Sequence, residues 1–227
     1  MTRPTYAIID TAAFVANYRM AKSMAPGRKA VAVVKANAYG HGAVVLAKTL
    51  APEADAFAVA CAEEAMELRE SGISNRMVLL EGVFEPAELE LAAEQRLDIV
   101  VHNAQQIDWL NTARLSRPLN AWLKVDTGMH RLGFAPEELA QCFRELRANR
   151  NIAEIVVMTH FARADEPDQP MTGEQLARFR SALEGVDAPR CIANSAAAMA
   201  WPEAHGDWIR PGIMLYGASP IGQPDLQ

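Results

Sequence analysis

The first residue with evident chemical potential is Lys35, which follows directly after an apolar run. Residues 30–34 read AVAVV, and residues 36–42 read ANAYGHG. A lysine amine held in apolar surroundings loses its charge easily, and the neutral amine attacks carbonyl carbons to form a Schiff base. The alternative is an ordinary solvated lysine, which the buried character of the run disfavours. His41, between two glycines, is interpreted as a turn residue and not as a catalyst.

Two segments near the end of the sequence favour the binding of an anion. The segment IANSAAAMA places Asn194 and Ser195 at N-cap positions of an alanine-rich helix. The segment RPGIMLYG places Pro211 and Gly212 directly after a predicted strand, where a short helix can begin. Two neighbouring helix N termini offer unsatisfied N–H groups to a phosphate, although either segment alone is better explained by ordinary capping.

A reactive lysine and a phosphate site together suggest two chemistries. One is that of an aldolase whose lysine attacks the substrate carbonyl. The other is that of a pyridoxal phosphate enzyme, in which the lysine holds the cofactor aldehyde. The residue types alone do not separate the two. His160, in the segment MTHFARADE, fits either a site residue or a core histidine bonded to the backbone.

Eight apolar, β-rich runs are predicted as the strands that position these residues. They show little polar alternation, which is typical of strands covered on both faces. The runs cover residues 30–34, 56–60, 76–80, 97–101, 120–125, 153–158, 190–193 and 207–210.

Helical patterns alternate with the strands. They cover residues 62–72, 85–97, 136–150 and 172–185, and a further helix at 11–27 precedes the first strand. The helix at 172–185 opens with the capping-box pattern Thr172-x-x-Gln175. This alternation predicts an α/β protein with a (β/α)8 barrel, and a doubly wound open sheet is the alternative. The leading helix is expected to cover the wall of the barrel near the last strand, after which no long helix is predicted.

The carboxyl ends of the strands form the reactive face of such a barrel. Polar side chains stand at the ends of the predicted strands, whereas the strand interiors are almost wholly apolar. We therefore expect one mouth that contains Lys35, Tyr39, Asn103, Lys124, Asp126, His160, Asn194, Ser195 and Arg210.

Composition excludes several classes of protein. The net charge is −6, from 22 basic and 28 acidic residues, which disfavours a nucleic-acid-binding surface. No apolar run approaches the roughly 20 residues that span a bilayer, and the first residues lack a signal core. Cys61, Cys142 and Cys191 are widely spaced and are expected to be buried thiols in a reducing compartment. The sequence thus predicts a soluble cytoplasmic protein without a metal site.

Four segments resemble a known family. VVKANAYGHG (33–42) closely resembles the pyridoxal phosphate attachment motif of alanine racemases. The segments WLKVDTGMHRLGF (122–134), MTHFARADEP (158–167) and DWIRPGIMLYGASP (207–220) are similar to that family's other blocks, in the same order. The similarity runs from about Ile8 to the end of the chain. It implies a TIM barrel that binds pyridoxal 5'-phosphate and interconverts L-alanine and D-alanine by a two-base mechanism.

The resemblance also implies a role for each matching residue. Lys35 would form the Schiff base with the cofactor and act as one of two bases, and Arg131 would orient the substrate carboxylate. Lys124 matches a lysine that is often carbamylated in the family, where it positions that arginine. The cofactor would contact Tyr39, His160, Asn194, Ser195, Arg210, Gly212 and Ile213. Arg210 would face the pyridine nitrogen with support from His160, whereas Tyr39, Ser195, Gly212 and Ile213 would hold the phosphate.

The family's enzymes have a second, mostly β domain, act as homodimers, and take their second base, a tyrosine, from the partner's second domain. We expect three parts here: a strand at 1–9 that pairs with the second domain, a cofactor-binding barrel at 10–217, and the start of a linker at 218–227. The second domain is expected to be absent, so the isolated chain should racemise weakly or not at all. The alternatives are a single-domain carrier of pyridoxal phosphate without turnover and a decarboxylase of the same barrel type.

Overall fold

The computed structural model describes residues 4–222 and forms a closed barrel of parallel strands. Each strand pairs with the next in sequence order, and the last pairs with the first. The strands are β1 (Lys29–Val33), β2 (Ala56–Val59), β3 (Met77–Leu79), β4 (Leu97–Val101), β5 (Leu119–Lys124), β6 (Ile152–Met158), β7 (Arg190–Cys191) and β8 (Trp208–Ile209). The predicted (β/α)8 barrel is confirmed, and the open sheet is excluded.

Helices surround the barrel between the strands. They are α1 (Thr11–Met24), α2 (Lys35–Tyr39, a single left-handed turn), α3 (Ala43–Leu50), α4 (Ala62–Glu70), α5 (Glu88–Glu94), α6 (Ala104–Thr112), α7 (Leu139–Ala148), α8 (Met171–Ala182) and α9 (Ser195–Ala200). Short 3₁₀ turns lie at Pro136–Glu138, Pro202–Ala204 and Ile213–Tyr216. As predicted, α1 precedes β1 and packs against the turn that follows β8. None of the helices between residues 4 and 222 is long and apolar enough to cross a membrane.

The predicted capping box at the start of α8 is wrong. The helix begins at Met171 with Pro170 as its N-cap, so Thr172 already lies inside the first turn. Its buried hydroxyl has no hydrogen-bond partner among the described residues. Gln175 is fully buried, and its side chain accepts a hydrogen bond from the Ala162 N–H at 2.9 Å. Gln175 therefore braces the loop after β6 and does not cap its own helix.

The first described residues, 4–10, precede α1 and take no part in the barrel sheet. No strand is present within residues 4–10, where Tyr6 and Ile8 are exposed. Residues 1–3 of the predicted strand and residues 223–227 of the predicted linker lie outside the described residues. The pairing of the first segment with a second domain stays a prediction.

A polar cluster closes the barrel at the amino ends of the strands. The buried carboxylate of Asp98 accepts hydrogen bonds from Arg76 Nε at 2.6 Å, Trp122 Nε1 at 2.8 Å and Asn120 Nδ2 at 3.0 Å. The Arg76 guanidinium lies over the rings of Trp122 and Trp208. This floor leaves the opposite end of the barrel as the open end.

Candidate active site

One cavity of about 460 Å³ opens at the carboxyl ends of the strands. Its walls include every residue to which the family resemblance assigns a role: Lys35, Tyr39, Lys124, Arg131, His160, Asn194, Ser195, Arg210, Gly212 and Ile213. The fold brings these residues together from five separate parts of the chain because each follows the end of a strand or stands in the loop beyond it. Their chemical roles stay predictions.

Two residues expected at the mouth do not line the cavity. Asn103 is the N-cap of α6, where its side chain accepts a hydrogen bond from the Gln106 N–H at 3.0 Å. Asp126 accepts hydrogen bonds from three successive backbone N–H groups, at residues 128–130. The Asp126 carboxylate therefore shapes the loop that leads to Arg131.

Arg210 is held in one orientation beneath the cavity. It is only 4% exposed, and its guanidinium donates hydrogen bonds to Cys191 Sγ, the Thr159 carbonyl and His160 Nδ1, each at 3.0 Å. No carboxylate contacts it among residues 4–222. Because Nδ1 of His160 accepts from a guanidinium, the ring proton must lie on Nε2. Burial and the nearby charge of Arg210 lower the pKa of His160 to about 2, so the ring is neutral.

The cavity carries an excess of positive charge. Among residues 4–222, four basic residues, Lys35, Lys124, Arg131 and Arg210, line it together with two carboxylates, those of Glu81 and Asp165. Lys124 is 7% exposed. Burial, followed by the charges of Arg210 and Arg131, lowers the pKa of Lys124 to about 8. Such a cavity favours an anionic ligand.

Lys35 begins a left-handed turn. The residues after it, Ala36 to Tyr39, have φ between +52° and +55°. For L-residues other than glycine this conformation costs roughly 1–2 kcal/mol each, so four in a row require support from the surrounding structure. The side chain of Asn37 accepts a hydrogen bond from the Ala43 N–H at 2.8 Å, and the next helix begins there.

Aromatic side chains pack against this turn. The ring of Tyr216 lies 4.8 Å from that of Tyr39 and 4.9 Å from that of His41, and its hydroxyl donates to the Val33 carbonyl at 2.7 Å. His41 Nδ1 lies 3.0 Å from the Tyr39 carbonyl, which fits its interpretation as a turn residue. Tyr216, about 180 residues further along the chain, therefore holds the loop that follows Lys35.

The two segments predicted to bind an anion are α9 and the turn after β8, and the structure places them in contact. Asn194 is the N-cap of α9 and accepts a hydrogen bond from the Ala197 N–H at 3.0 Å. Ser195 is the first residue of the helix and not its cap, so the prediction of two cap residues is wrong for Ser195. The Gly212 N–H, predicted as a phosphate donor, donates to Ser195 Oγ at 2.8 Å. A Cβ atom at Gly212 would lie 2.8 Å from the Tyr39 hydroxyl, so a larger residue there would have to displace the Tyr39 side chain.

Residues 9–220 match the family described as "Alanine racemase, N-terminal domain". The chain belongs to the alanine racemase family. It is 55% identical to an alanine racemase of Azoarcus sp. and 53% identical to a catabolic alanine racemase of Pseudomonas aeruginosa. Each match covers 96% of this chain but 62% and 61% of the relative. The chain thus spans about three fifths of the length of these alanine racemases.

Solved alanine racemase structures share the fold. The biosynthetic enzyme of Pseudomonas aeruginosa superposes with a TM-score of 0.92 at 48% identity, over 96% of this chain and 61% of that one. The alanine racemase of Bartonella henselae, solved with covalently bound pyridoxal phosphate, gives a TM-score of 0.86 at 30% identity, over 96% and 62%. These likenesses place the alanine racemase barrel over nearly the whole chain.

Sequence reasoning missed several residues of this alanine racemase-family cavity. The wall also includes Val33, Leu80, Glu81, Leu132, Met158, Asp165, Ala196 and Pro220. Glu81 follows a predicted strand and Asp165 lies in a matched segment, so both could have been selected. Cys191 was predicted only as a buried thiol, and its contact with Arg210 had no signal in the sequence.

Proposed function

We propose that this chain is the pyridoxal phosphate-binding barrel of an alanine racemase, which interconverts L-alanine and D-alanine. The observation that carries the proposal is the convergence of Lys35, a buried Arg210 and a corner of hydroxyl and N–H groups in one cavity. The Bartonella henselae relative with bound pyridoxal phosphate supports the choice of cofactor. The aldolase chemistry that the residues alone left open finds no support among these relatives.

The residues present fit the cofactor. Lys35 offers an amine for its aldehyde, and Ser195, Tyr39, Gly212 and Ile213 line the same cavity, where they would hold the phosphate. Arg210 would face the pyridine nitrogen, as the resemblance implies. An arginine does not give up its proton readily, so this nitrogen would accept a hydrogen bond without being protonated. When bound, the cofactor supplies an electron sink that acidifies the Cα–H of an amino acid.

Residues of this chain have separate roles in proton transfer and in substrate binding. The Lys35 amine moves a proton to or from the substrate Cα on one face. Arg131, on the cavity wall, would pair with the substrate carboxylate and, as the resemblance implies, with the phenolic oxygen of the cofactor. The second base would be a tyrosine from the second domain of a partner protomer, so we propose that the intact enzyme is a homodimer. By itself this barrel should racemise weakly or not at all.

Lys124 is proposed to be carbamylated. A pKa of about 8 leaves roughly a tenth of its amines neutral at pH 7, and only the neutral amine reacts with carbon dioxide. The product is a carboxylate, which would offset part of the positive charge in the cavity and pair with Arg131. The free thiols of Cys61, Cys142 and Cys191 fit a reducing compartment, and we propose that the protein acts in the cytoplasm.

The test is to trap the cofactor covalently. The protein is incubated with pyridoxal phosphate and reduced with borohydride, and the modified peptide is identified by mass. We expect the label on Lys35 alone, complete loss of it in Lys35→Ala, and no change in the control Lys48→Ala, which removes an exposed lysine. A label on another lysine of folded Lys35→Ala would overturn the proposal.

A further inference from the structure

Glu64 joins the ends of two strands beside the cavity. Its Oε1 accepts a hydrogen bond from the Ala36 N–H at 2.7 Å, and its Oε2 accepts one from the Ala60 N–H at 2.8 Å. Ala36 is the residue after Lys35, and Ala60 follows β2. We propose that Glu64 is a positioning residue that aims the Lys35 side chain into the cavity. The inference rests on the proposed function, in which that side chain must meet the cofactor.

The first N–H group of the left-handed turn, that of Ala36, has no hydrogen-bond acceptor inside the turn and needs one from elsewhere in the protein. Inside the turn, the Ala38 N–H donates to the Val34 carbonyl and the Gly40 N–H donates to the Ala36 carbonyl. The Ala36 N–H points out of the turn and donates only to Glu64 among the described residues. An N–H left without a partner at this point would favour rotation of the peptide that joins Lys35 to Ala36, since that conformation is already strained.

The position of Glu64 explains how one side chain reaches both strands. It is the third residue of α4, whose first turn follows β2 directly. A glutamate at this position commonly reaches back to a backbone N–H before the helix, and here the Ala60 N–H fills that role. The second oxygen is then left to point across to β1. The positive end of the helix dipole also stabilises a carboxylate in the first turn.

Both oxygens of the carboxylate are needed as acceptors. In Glu64→Gln the amide group would turn one donor toward an N–H, so one of the two hydrogen bonds would be lost. In Glu64→Asp the side chain keeps its charge but is one methylene shorter and cannot span both strand ends. The matched control is Glu63→Gln, which removes the same charge from the same helical turn at an exposed side chain.

The experiment measures two quantities in the wild type, Glu64→Gln, Glu64→Asp and Glu63→Gln. The first is hydrogen exchange at the Ala36 amide in protein without cofactor. The second is the rate at which pyridoxal phosphate labels Lys35, trapped with borohydride, relative to the other lysines. We expect both Glu64 variants to exchange Ala36 roughly tenfold faster or more and to label Lys35 several-fold more slowly, because a hydrogen bond to a charged group is lost. Glu63→Gln should match the wild type.

Each other outcome decides against the inference. Unchanged exchange at Ala36 would show that Glu64 does not hold the turn, and faster exchange with unchanged labelling would show that it does not position Lys35. If both Glu64 variants fail to fold while Glu63→Gln folds, Glu64 is a general stability residue and the inference is overturned. Failure of the proposed function can be told apart from failure of this inference. The wild type would then carry no label on Lys35, whereas hydrogen exchange at the Ala36 amide would still show whether Glu64 holds the turn.

Discussion

Single residues of the cavity hold charges that the protein does not balance on its own. Arg210 donates to a thiol, a carbonyl and an imidazole, none of which is an anion at neutral pH. Burial raises the pKa of the Cys191 thiol, which keeps it protonated beside the guanidinium. Lys124 adds a second buried cation. The cavity is therefore stabilised by an anionic ligand and is a cost to the stability of the barrel alone.

That cost is testable at Lys124. A pKa of about 8, lowered from 10.5 by burial, means that the folded state holds its proton less tightly than the unfolded state. The free energy of unfolding is therefore reduced below pH 8 and recovers as the pH rises toward 10.5. Lys124→Met should stabilise the protein at pH 7 by up to about 3 kcal/mol, and the gain should vanish near pH 10.5. The measurement is urea unfolding at both pH values in buffer free of carbon dioxide.

The exposed Lys48→Met is the control for this change, and its effect should be small at both pH values. A gain at Lys124 that did not depend on pH would contradict the assigned cause. Added bicarbonate at pH 7 should shrink the gap between the wild type and Lys124→Met, because carbamylation replaces the buried ammonium by a carboxylate beside Arg131. An unchanged gap would count against carbamylation.

At the level of elements, most of the strands were predictable because they are apolar runs that end at or shortly before a polar residue. Lys124 and Arg210 could be placed at the mouth by that rule alone. The left-handed turn after Lys35 could not be predicted from the sequence, because alanine and tyrosine give no local signal for positive φ. Contacts with Glu64 and Tyr216 hold that conformation, and both residues are remote in sequence. The capping box failed for a related reason: Gln175 is held by the loops after β5 and β6 and not by its own helix.

Because this turn is strained, replacing alanine by glycine should raise the free energy of unfolding in the turn but lower it in a right-handed helix. Ala36→Gly removes a Cβ from an exposed residue at φ +52° and should stabilise the fold by about 0.5–1 kcal/mol, the net of relieved strain and glycine entropy. Ala16→Gly lies on the exposed side of the right-handed α1 and should destabilise by about 1 kcal/mol. Urea unfolding of both variants makes the comparison. Destabilisation of similar size in both would mean that the turn is not strained in solution.

On the scale of the whole molecule, the two ends of the barrel have separate tasks. The mouth holds the residues proposed for chemistry, and the floor holds Asp98, Arg76 and two tryptophans, which close the barrel. The floor is well bonded around Asp98, although Arg76 Nη2 is buried without a partner in the described part of the chain. Such a division is expected where stability comes from one end of a barrel and function from the other.

The division predicts that a severe change in the floor leaves the mouth intact. Asp98→Asn removes the buried one of the two carboxylates that pair with Arg76, the other being Glu154, and should lower the free energy of unfolding by about 2 kcal/mol. At temperatures well below its thermal unfolding midpoint, the folded Asp98→Asn variant should still acquire the borohydride-trapped label on Lys35 at the wild-type rate. Glu53→Gln, which breaks an exposed ion pair with Arg19, is the control and should change stability little. Slower labelling of folded Asp98→Asn would show that the floor transmits strain to the mouth, and the separation of tasks would be wrong.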